Sequence, residues 1–221
     1  AATSLQPLTD IDISQLKRFR CAEARIADRR SLISRTGYTG EDGFEVIVFD
    51  TSNEEPEDAA RVWEKLAGTS TPCGLGARDS LRLEAGFPLH GSDIDQDTDP
   101  YQADLAWVIS NGKSGFIGSG AIADPRAQRP LRVRRGLELD SGIPRHGFEI
   151  AGPSGAVGTV TSGGFSPIIR KGIALCMVDR ENAELGTKVS VKVRDMPQGG
   201  TITKPPFYDE LLFGWKRQKG N

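Results

Sequence analysis

From about residue 140 onward the chain is punctuated at short intervals by turn signals: Ser141-Gly142, Pro153-Ser154-Gly155, Ser162-Gly163-Gly164 and Gly199-Gly200. Glycine reaches positive φ at no steric cost, and serine bonds its own backbone, so such clusters mark reversals. The runs between them are too short for long helices. In Lys188–Arg194, Val189, Val191 and Val193 alternate with polar residues, and a period of two puts the valines on one face of a strand. Gly172–Val178 reads as another strand. Short strands at this spacing predict a β-barrel or sandwich from about residue 130, with no helix of more than three turns inside 136–204.

The first half has a different pattern. Residues 17–36 read as two strands around the turn Asp28-Arg29-Arg30, followed by a three-glycine loop, Gly37 to Gly43. Phe44–Phe49 is apolar on both faces except for Glu45, which predicts a central strand with a carboxylate that needs a partner. A helix is expected over 54–67, with Ala59, Val62, Trp63 and Leu66 as its core stripe. A second is expected over 76–85, with Ala77, Leu81 and Ala85 on one side. A third is expected from the Asp99-Pro100 cap to Val108. Arg126, Arg129, Arg132, Arg134 and Arg135 crowd the following stretch. They read as a solvated edge between domains, with the docking of an acidic partner as the lesser alternative.

Thirty-seven per cent hydrophobic residues suffice for a core, and a net charge of −2 argues for neither nucleic acid nor an acidic membrane surface. No apolar run is long enough for a transmembrane helix. The start, Ala-Ala-Thr-Ser-Leu, has no initiator Met and no signal-peptide pattern, so the chain is expected to begin at a cut. Cys21, Cys73 and Cys176 lack the spacing of a zinc site or redox dithiol, and are expected to be reduced and mostly buried. With His90 and His146 they form no recognisable catalytic pair, and no metal is expected. Asp93 and Asp95 admit a paired acid–base role but are better read as loop caps. Lys216, Arg217 and Lys219 read as an exposed tail.

Two segments are more specific than local structure requires: SRTGYTGEDGFEV, Ser34 to Val46, and GLGARDSLRLEAGFPLHGSDID, Gly74 to Asp95. The first delivers Glu45 into a strand after a glycine-rich turn, and the second sets Arg78 in a helix's first turn. The two side chains could pair with each other. They could also meet a flat heterocycle, the carboxylate accepting from amino and ring N–H groups and the planar guanidinium facing a carbonyl or carboxylate.

GYTGEDGFE followed by ARDSLRLEAG closely resembles the T-protein family of folate-dependent aminomethyltransferases, and TVTSGGFSPIIRKGIALCMV and KPPF resemble that family's C-terminal barrel. The resemblance implies an α+β fold. Residues 1–128 would be an incomplete folate-binding domain with ferredoxin-like elements, and 129–221 a β-barrel domain. It also implies transfer of an aminomethyl carbon from the lipoylated H-protein to tetrahydrofolate, the co-substrate, with release of ammonia and formation of methylenetetrahydrofolate. Glu45 and Arg78 fall on the family's folate-binding positions. Tyr208 is the candidate for the family's tail tyrosine, although displaced by several positions. The family's catalytic aspartate falls upstream of Ala1, so no catalytic residue is expected within the chain. The family implies the mitochondrial matrix in a eukaryote and the cytoplasm otherwise, with no nucleic-acid or membrane partner. Two other resemblances fit less well. The folate domain of a sarcosine- or dimethylglycine-type oxidase carries a GELG-like loop where GEDG stands here, and a Trp where His90 stands. The folate-binding iron–sulfur assembly family has a K-G-C-x-G-Q-E signature that is missing here. A folate-binding fragment without activity is the remaining alternative.

Overall fold

A computed structural model describes residues 1–110, 112–124, 128–194 and 196–217. Arg126 and Lys219, singled out above, lie outside the described residues. The chain packs as two compact units: Ala1–Asp79 with Glu210–Asn221, and Ser80–Asp209.

In the first unit a short helix α1, Ala2–Leu5, precedes three strands, β1 Cys21–Ile26, β2 Arg29–Ser34 and β3 Glu45–Val48. They pair antiparallel in the order β1-β2-β3. Ile26 pairs with Arg29, so the reversal is Ala27-Asp28, one residue earlier than expected, and both take positive φ. That is the twist a two-residue hairpin turn requires. Helix α2, Glu57–Ala67, starts three residues later than its acidic run suggested. Glu54 and Glu55 belong to a preceding turn in which the Ser52 hydroxyl accepts from both of their amides. Of the expected stripe only Val62 is fully buried, and it joins Leu5, Ile13, Ala24, Ile26 and Ile33 in the core. Trp63 stays 60% exposed. The expectation of a central β3 fails as well. Among the described strands β3 pairs only with β2, so Glu45 is exposed and Ile47 is 55% exposed.

The second unit contains the expected barrel, six antiparallel strands closed in the order β4-β7-β6-β5-β8-β9. They are β4 Arg132–Leu139, β5 Glu149–Gly152, β6 Gly155–Ser166, β7 Lys171–Asp179, β8 Lys188–Val193 and β9 Met196–Thr203. Leu137, Ile150, Val160, Cys176, Val191 and Ile202 are among the side chains filling it. Among the described residues of 136–204 the only helical piece is the single 3-10 turn Arg180–Asn182.

Two of the turn signals are not turns. Gly163 lies inside β6 and Gly199 inside β9. A Cβ on Gly163 would come 2.5 Å from the Pro144 carbonyl oxygen, and one on Gly199 would come 2.6 Å from Asp140 Oδ2. At Gly163 the close approach of backbone, rather than reversal, demands glycine; at Gly199 the neighbour is the end of the exposed Asp140 side chain, which can move aside.

Helix α3, Leu75–Glu84, holds the division between the two units, and its expected core face is wrong. Arg82, Leu83 and Glu84 are buried while Leu81 is 37% exposed. Residues 99–108 form no α-helix. The Asp99 cap is real, its Oδ1 accepting from the amides of Tyr101 and Gln102. The turn stops at Asp104, which takes positive φ, and the 3-10 turn Ala106–Val108 follows. The carbonyls of Gln102 and Ala103, which a continuing helix would use, accept instead from the Arg134 amide at 2.7 Å and Arg134 Nε at 2.6 Å. A last short helix, α4 Ser119–Ala123, buries none of its residues.

Candidate functional site

The loop from Arg35 to Gly43 joins β2 to β3 and is closed at its base by a two-pronged ion pair. Arg35 Nε lies 2.9 Å from Asp42 Oδ1, and its terminal nitrogen 2.8 Å from Oδ2. These bonds raise the Arg35 pKa above its ordinary value, burial working in the opposite direction. A third Arg35 nitrogen donates to the Leu16 carbonyl at 2.8 Å. Gly40, at φ 78°, makes the tight bend that only glycine takes without strain.

Glu45 and Arg78 both meet this loop. Glu45 sits opposite Ser34 in the β2–β3 register, and its Oε2 accepts a short hydrogen bond from the Thr36 hydroxyl, itself 2.9 Å from Ser34 Oγ. Two residues further on, the Tyr38 ring lies under the Arg78 guanidinium, 4.8 Å from ring centre to Cζ. The contact holds the guanidinium against the ring face by cation–π attraction and leaves its in-plane N–H groups directed away from the ring. Among the described residues no ion pair joins Glu45 to Arg78. The arrangement is a carboxylate and a guanidinium anchored two residues apart on one loop, both exposed. It can present acceptors and donors to a planar polar molecule. Tyr208 belongs to the second unit, where it is partly buried beside Phe207, whose amide donates to the Glu84 carbonyl.

The second unit contains a polar constellation that sequence reading missed. Asp93, dismissed above as a loop cap, is fully buried, and its Oδ2 lies 2.7 Å from an Arg82 nitrogen, with side-chain exposures of 0% and 3%. The same oxygen accepts from the Leu89 amide and the Ser162 hydroxyl, each at 2.8 Å, and Thr161 Oγ1 donates to Oδ1. Arg82 also donates to Ser162 Oγ at 2.9 Å and to the Phe87 carbonyl. Glu84, two residues beyond Arg82 in α3, accepts from the Ser166 hydroxyl and the Ile168 amide at one oxygen. With Arg82 and Asp93 paired and Glu84 hydrogen-bonded to β6 and the turn after it, this is a structural anchor of α3 on the barrel strands. The signal was available: ARDSLRLE places an arginine and a glutamate on either side of Leu83. Asp93 is 11 residues from Arg82, but Ser162 and Ser166, which bond Arg82 and Glu84, lie 80 and 82 residues away, beyond any local pattern. Asp95 is the loop cap that was expected; its bonds with Thr98 and the Asp97 amide hold its carboxyl below the usual range.

The arginine cluster is a solvated edge only in part: Arg129 and Arg132 are exposed, whereas Arg134 and Arg135 turn inward. Arg134 is buried with donors on the Ala103 and Gly86 carbonyls, and burial lowers its pKa, opposed by Asp93 and Asp104. Arg135 bonds the Ala183 carbonyl and pairs with Asp104. The cysteines need correction too: Cys21 and Cys73 are exposed and only Cys176 is buried. Burial pushes the Cys176 thiol up to about 12. Among the described residues no group of three or more His, Cys, Asp or Glu side chains is placed to hold a metal ion.

Comparison with known proteins bears on this geometry. The family model of the GCVT N-terminal domain matches residues 1–113, and that of the glycine cleavage T-protein C-terminal barrel domain matches 132–209. The aminomethyltransferase of Bacillus subtilis is 40% identical over 216 residues, covering 94% of this chain and 58% of its own length. That of Thermus thermophilus is 44% identical over 198 residues, covering 89% and 54%. The crystal structure of glycine cleavage system aminomethyltransferase T from Bartonella henselae superposes with a TM-score of 0.82 at 34% identity, covering 94% of this chain and 56% of that one. The chain therefore spans a little more than half the length of the relatives it matches. On the two family matches, with a relative's solved fold reproduced at this identity, the chain belongs to the glycine cleavage T-protein family.

Proposed function

We propose that this chain supplies one side of the tetrahydrofolate site of an aminomethyltransferase. The observation that carries the reading is that Glu45 and Arg78, 33 positions apart, contact Thr36 and Tyr38, two residues apart on one loop. Glu45 accepts from the amino and ring N–H groups of the pterin edge, with Thr36 holding one of its oxygens. Arg78, backed by Tyr38, directs its N–H groups at a ring carbonyl or a carboxylate. Tyr208 is carried over from the resemblance alone as a further folate-binding candidate. The reaction takes the aminomethyl carbon from the dihydrolipoyl arm of H-protein to a ring nitrogen of tetrahydrofolate, giving methylenetetrahydrofolate and ammonia. Alignment of the two bound reactants supplies much of the rate.

In the family, an aspartate outside the part matched here stabilises developing positive charge, so turnover is expected to need that segment beside Glu45 and Arg78. Losing one such electrostatic group costs about 10²–10³ in rate. Two experiments test this. Titration of the chain with tetrahydrofolate should show binding that Glu45→Gln and Arg78→Ala each weaken by roughly tenfold, the loss expected for one charge-assisted contact. Methylenetetrahydrofolate formation from loaded H-protein should appear only with a chain extended upstream, and equal turnover by both would overturn the inactive-fragment reading. Binding untouched by either substitution would overturn the site.

A further inference from the structure

The first unit contains a second polar cavity that the folate reading does not use, about 520 Å³ in volume, with Lys17, Arg18, Arg35, Trp215 and Arg217 on its walls and residues 1–3 closing another side. Its acids are already engaged. Asp42 holds Arg35, and Glu41 is held by the Gly214 amide at 3.0 Å and by Arg217 at 3.0 Å. The Trp215 amide donates to the Gly40 carbonyl at 2.9 Å, fixing the ring beside the cavity.

Arg18 is the odd member. Its guanidinium lies 4.1 Å from the centre of the Trp215 ring and 5.0 Å from that of Phe19, so aromatic contacts restrain it. Phe19 takes φ 61°, a conformation rare for a bulky residue, in reaching that position. Yet among the described residues Arg18 donates no hydrogen bond and forms no ion pair, and its Nε is buried without an acceptor. Burial lowers its pKa, with Asp42 opposing. Lys17, its neighbour on the cavity wall, has no ion pair among the described residues either. A restrained, partly desolvated guanidinium stands beside an exposed ammonium, and the carboxylates on the cavity wall are hydrogen-bonded to other groups, so the pair can take a further anion. Guanidinium recognises paired oxygens in one plane, and partial exclusion of water strengthens such bonds.

We propose that the Arg18 cavity is an oxyanion-binding site for a small molecule bearing a carboxylate or phosphate group, with Arg18 as its principal donor and Lys17 as its second. The cavity is larger than one phosphate needs, and the Trp215 ring gives it an apolar wall, so the ligand carries carbon as well as charge.

The test is calorimetric titration of the 221-residue chain at low ionic strength with citrate, inorganic phosphate and pyrophosphate. At least one probe should bind at a single site with a Kd below about 1 mM, weakening as salt is raised. A preference for citrate identifies a carboxylate ligand, and a preference for the phosphates a phosphoryl one. Arg18→Gln should lose roughly tenfold in affinity, as for one charge-assisted contact. Arg20→Gln, the same charge change on an exposed side chain outside the cavity, should bind as the parent does. Lys17→Gln, on an exposed side chain that makes no hydrogen bond, should lose less than Arg18→Gln and covers the case in which the Arg18 variant does not fold. N-terminal acetylation should leave binding intact, which would exclude the terminal ammonium as the donor. The proposal is overturned if no probe saturates, if Arg20→Gln loses as much as the cavity variants, or if acetylation abolishes binding. Tetrahydrofolate titration of Arg18→Gln reads the other site separately.

Discussion

The barrel and the three-stranded sheet are built from the same antiparallel pairing, yet they treat their carboxylates in opposite ways. In the barrel unit Asp93 is sealed from water and accepts from Arg82, Leu89, Thr161 and Ser162. In the sheet Glu45 is exposed, with one donor, Thr36. Packing accounts for the difference. Asp93 is held between Arg82 of α3 and Thr161 and Ser162 of β6, and that cover cuts it off from water. Such groups must be satisfied completely or they unfold the unit. A strand with one partner leaves its side chains within reach of solvent, and a carboxylate there is available to a ligand.

The sharpest way to break this comparison is at the buried pair. Asp93→Ala leaves Arg82 charged and unpaired inside the second unit and should cost about 3–5 kcal/mol in urea unfolding. A loss under about 1 kcal/mol would mean that water reaches the pair and that the packing of α3 on β6 does not isolate it.

Next in size is Leu83→Ala. Leu83 packs with Ile173, Leu175 and Phe207 between the two buried charges of α3. Truncation should cost roughly 2–5 kcal/mol. If Leu81→Ala, on the face that sequence periodicity favoured, costs more, the assignment of the buried face is wrong.

Cys176 sharpens the contrast through pH. Its thiol is raised from 9.0 to about 12 in the folded state, so the unfolded chain releases this proton first. Stability from this group is fully present below about pH 9 and is lost toward pH 12, at about 1.4 kcal/mol per pH unit within that window. Cys176→Ala should remove that slope from denaturant midpoints measured at alkaline pH. In the native chain at pH 8, a thiol reagent should label the exposed Cys21 and Cys73 and spare Cys176.

The smallest effect belongs to the open sheet. Ile47→Thr on β3 should change stability by no more than about 0.5 kcal/mol, because the side chain is already half in water. A cost of several kcal/mol would show that this face is covered in solution, for instance in an oligomer, and sedimentation of the same sample would reveal it.

The elements that sequence reading recovered are those whose signal is local. The alternating valines of β8, the Asp99 cap, the hairpin near Asp28 and the absence of long helices among the described residues of 136–204 follow from periods and turn chemistry spanning a few residues. Its failures share a cause. Gly163 and Gly199 looked like turn residues because glycine is ambiguous between reversal and strand, and only the pairing of β6 and β9 decides, with Pro144 adding the close approach at Gly163. Trp63 and Leu81 looked like core because an amphipathic period identifies a face but not what covers it.

For the site, motif and structure divide the work differently. The residues by themselves marked Glu45 and Arg78 as chemically suited to a planar polar ligand, and GYTGEDGFE with ARDSLRLEAG marked the family. Only the tertiary structure decided that Thr36 and Tyr38 hold them, that Glu45 faces water, and that Asp93 is the carboxylate sealed inside. The physical reason is range. Propensity and periodicity act over one or two turns of chain. Whether a charge is solvated, paired or stacked depends on groups that meet it from far along the chain, as Ser166 meets Glu84 across 82 residues, and their contribution exists only once the chain has folded.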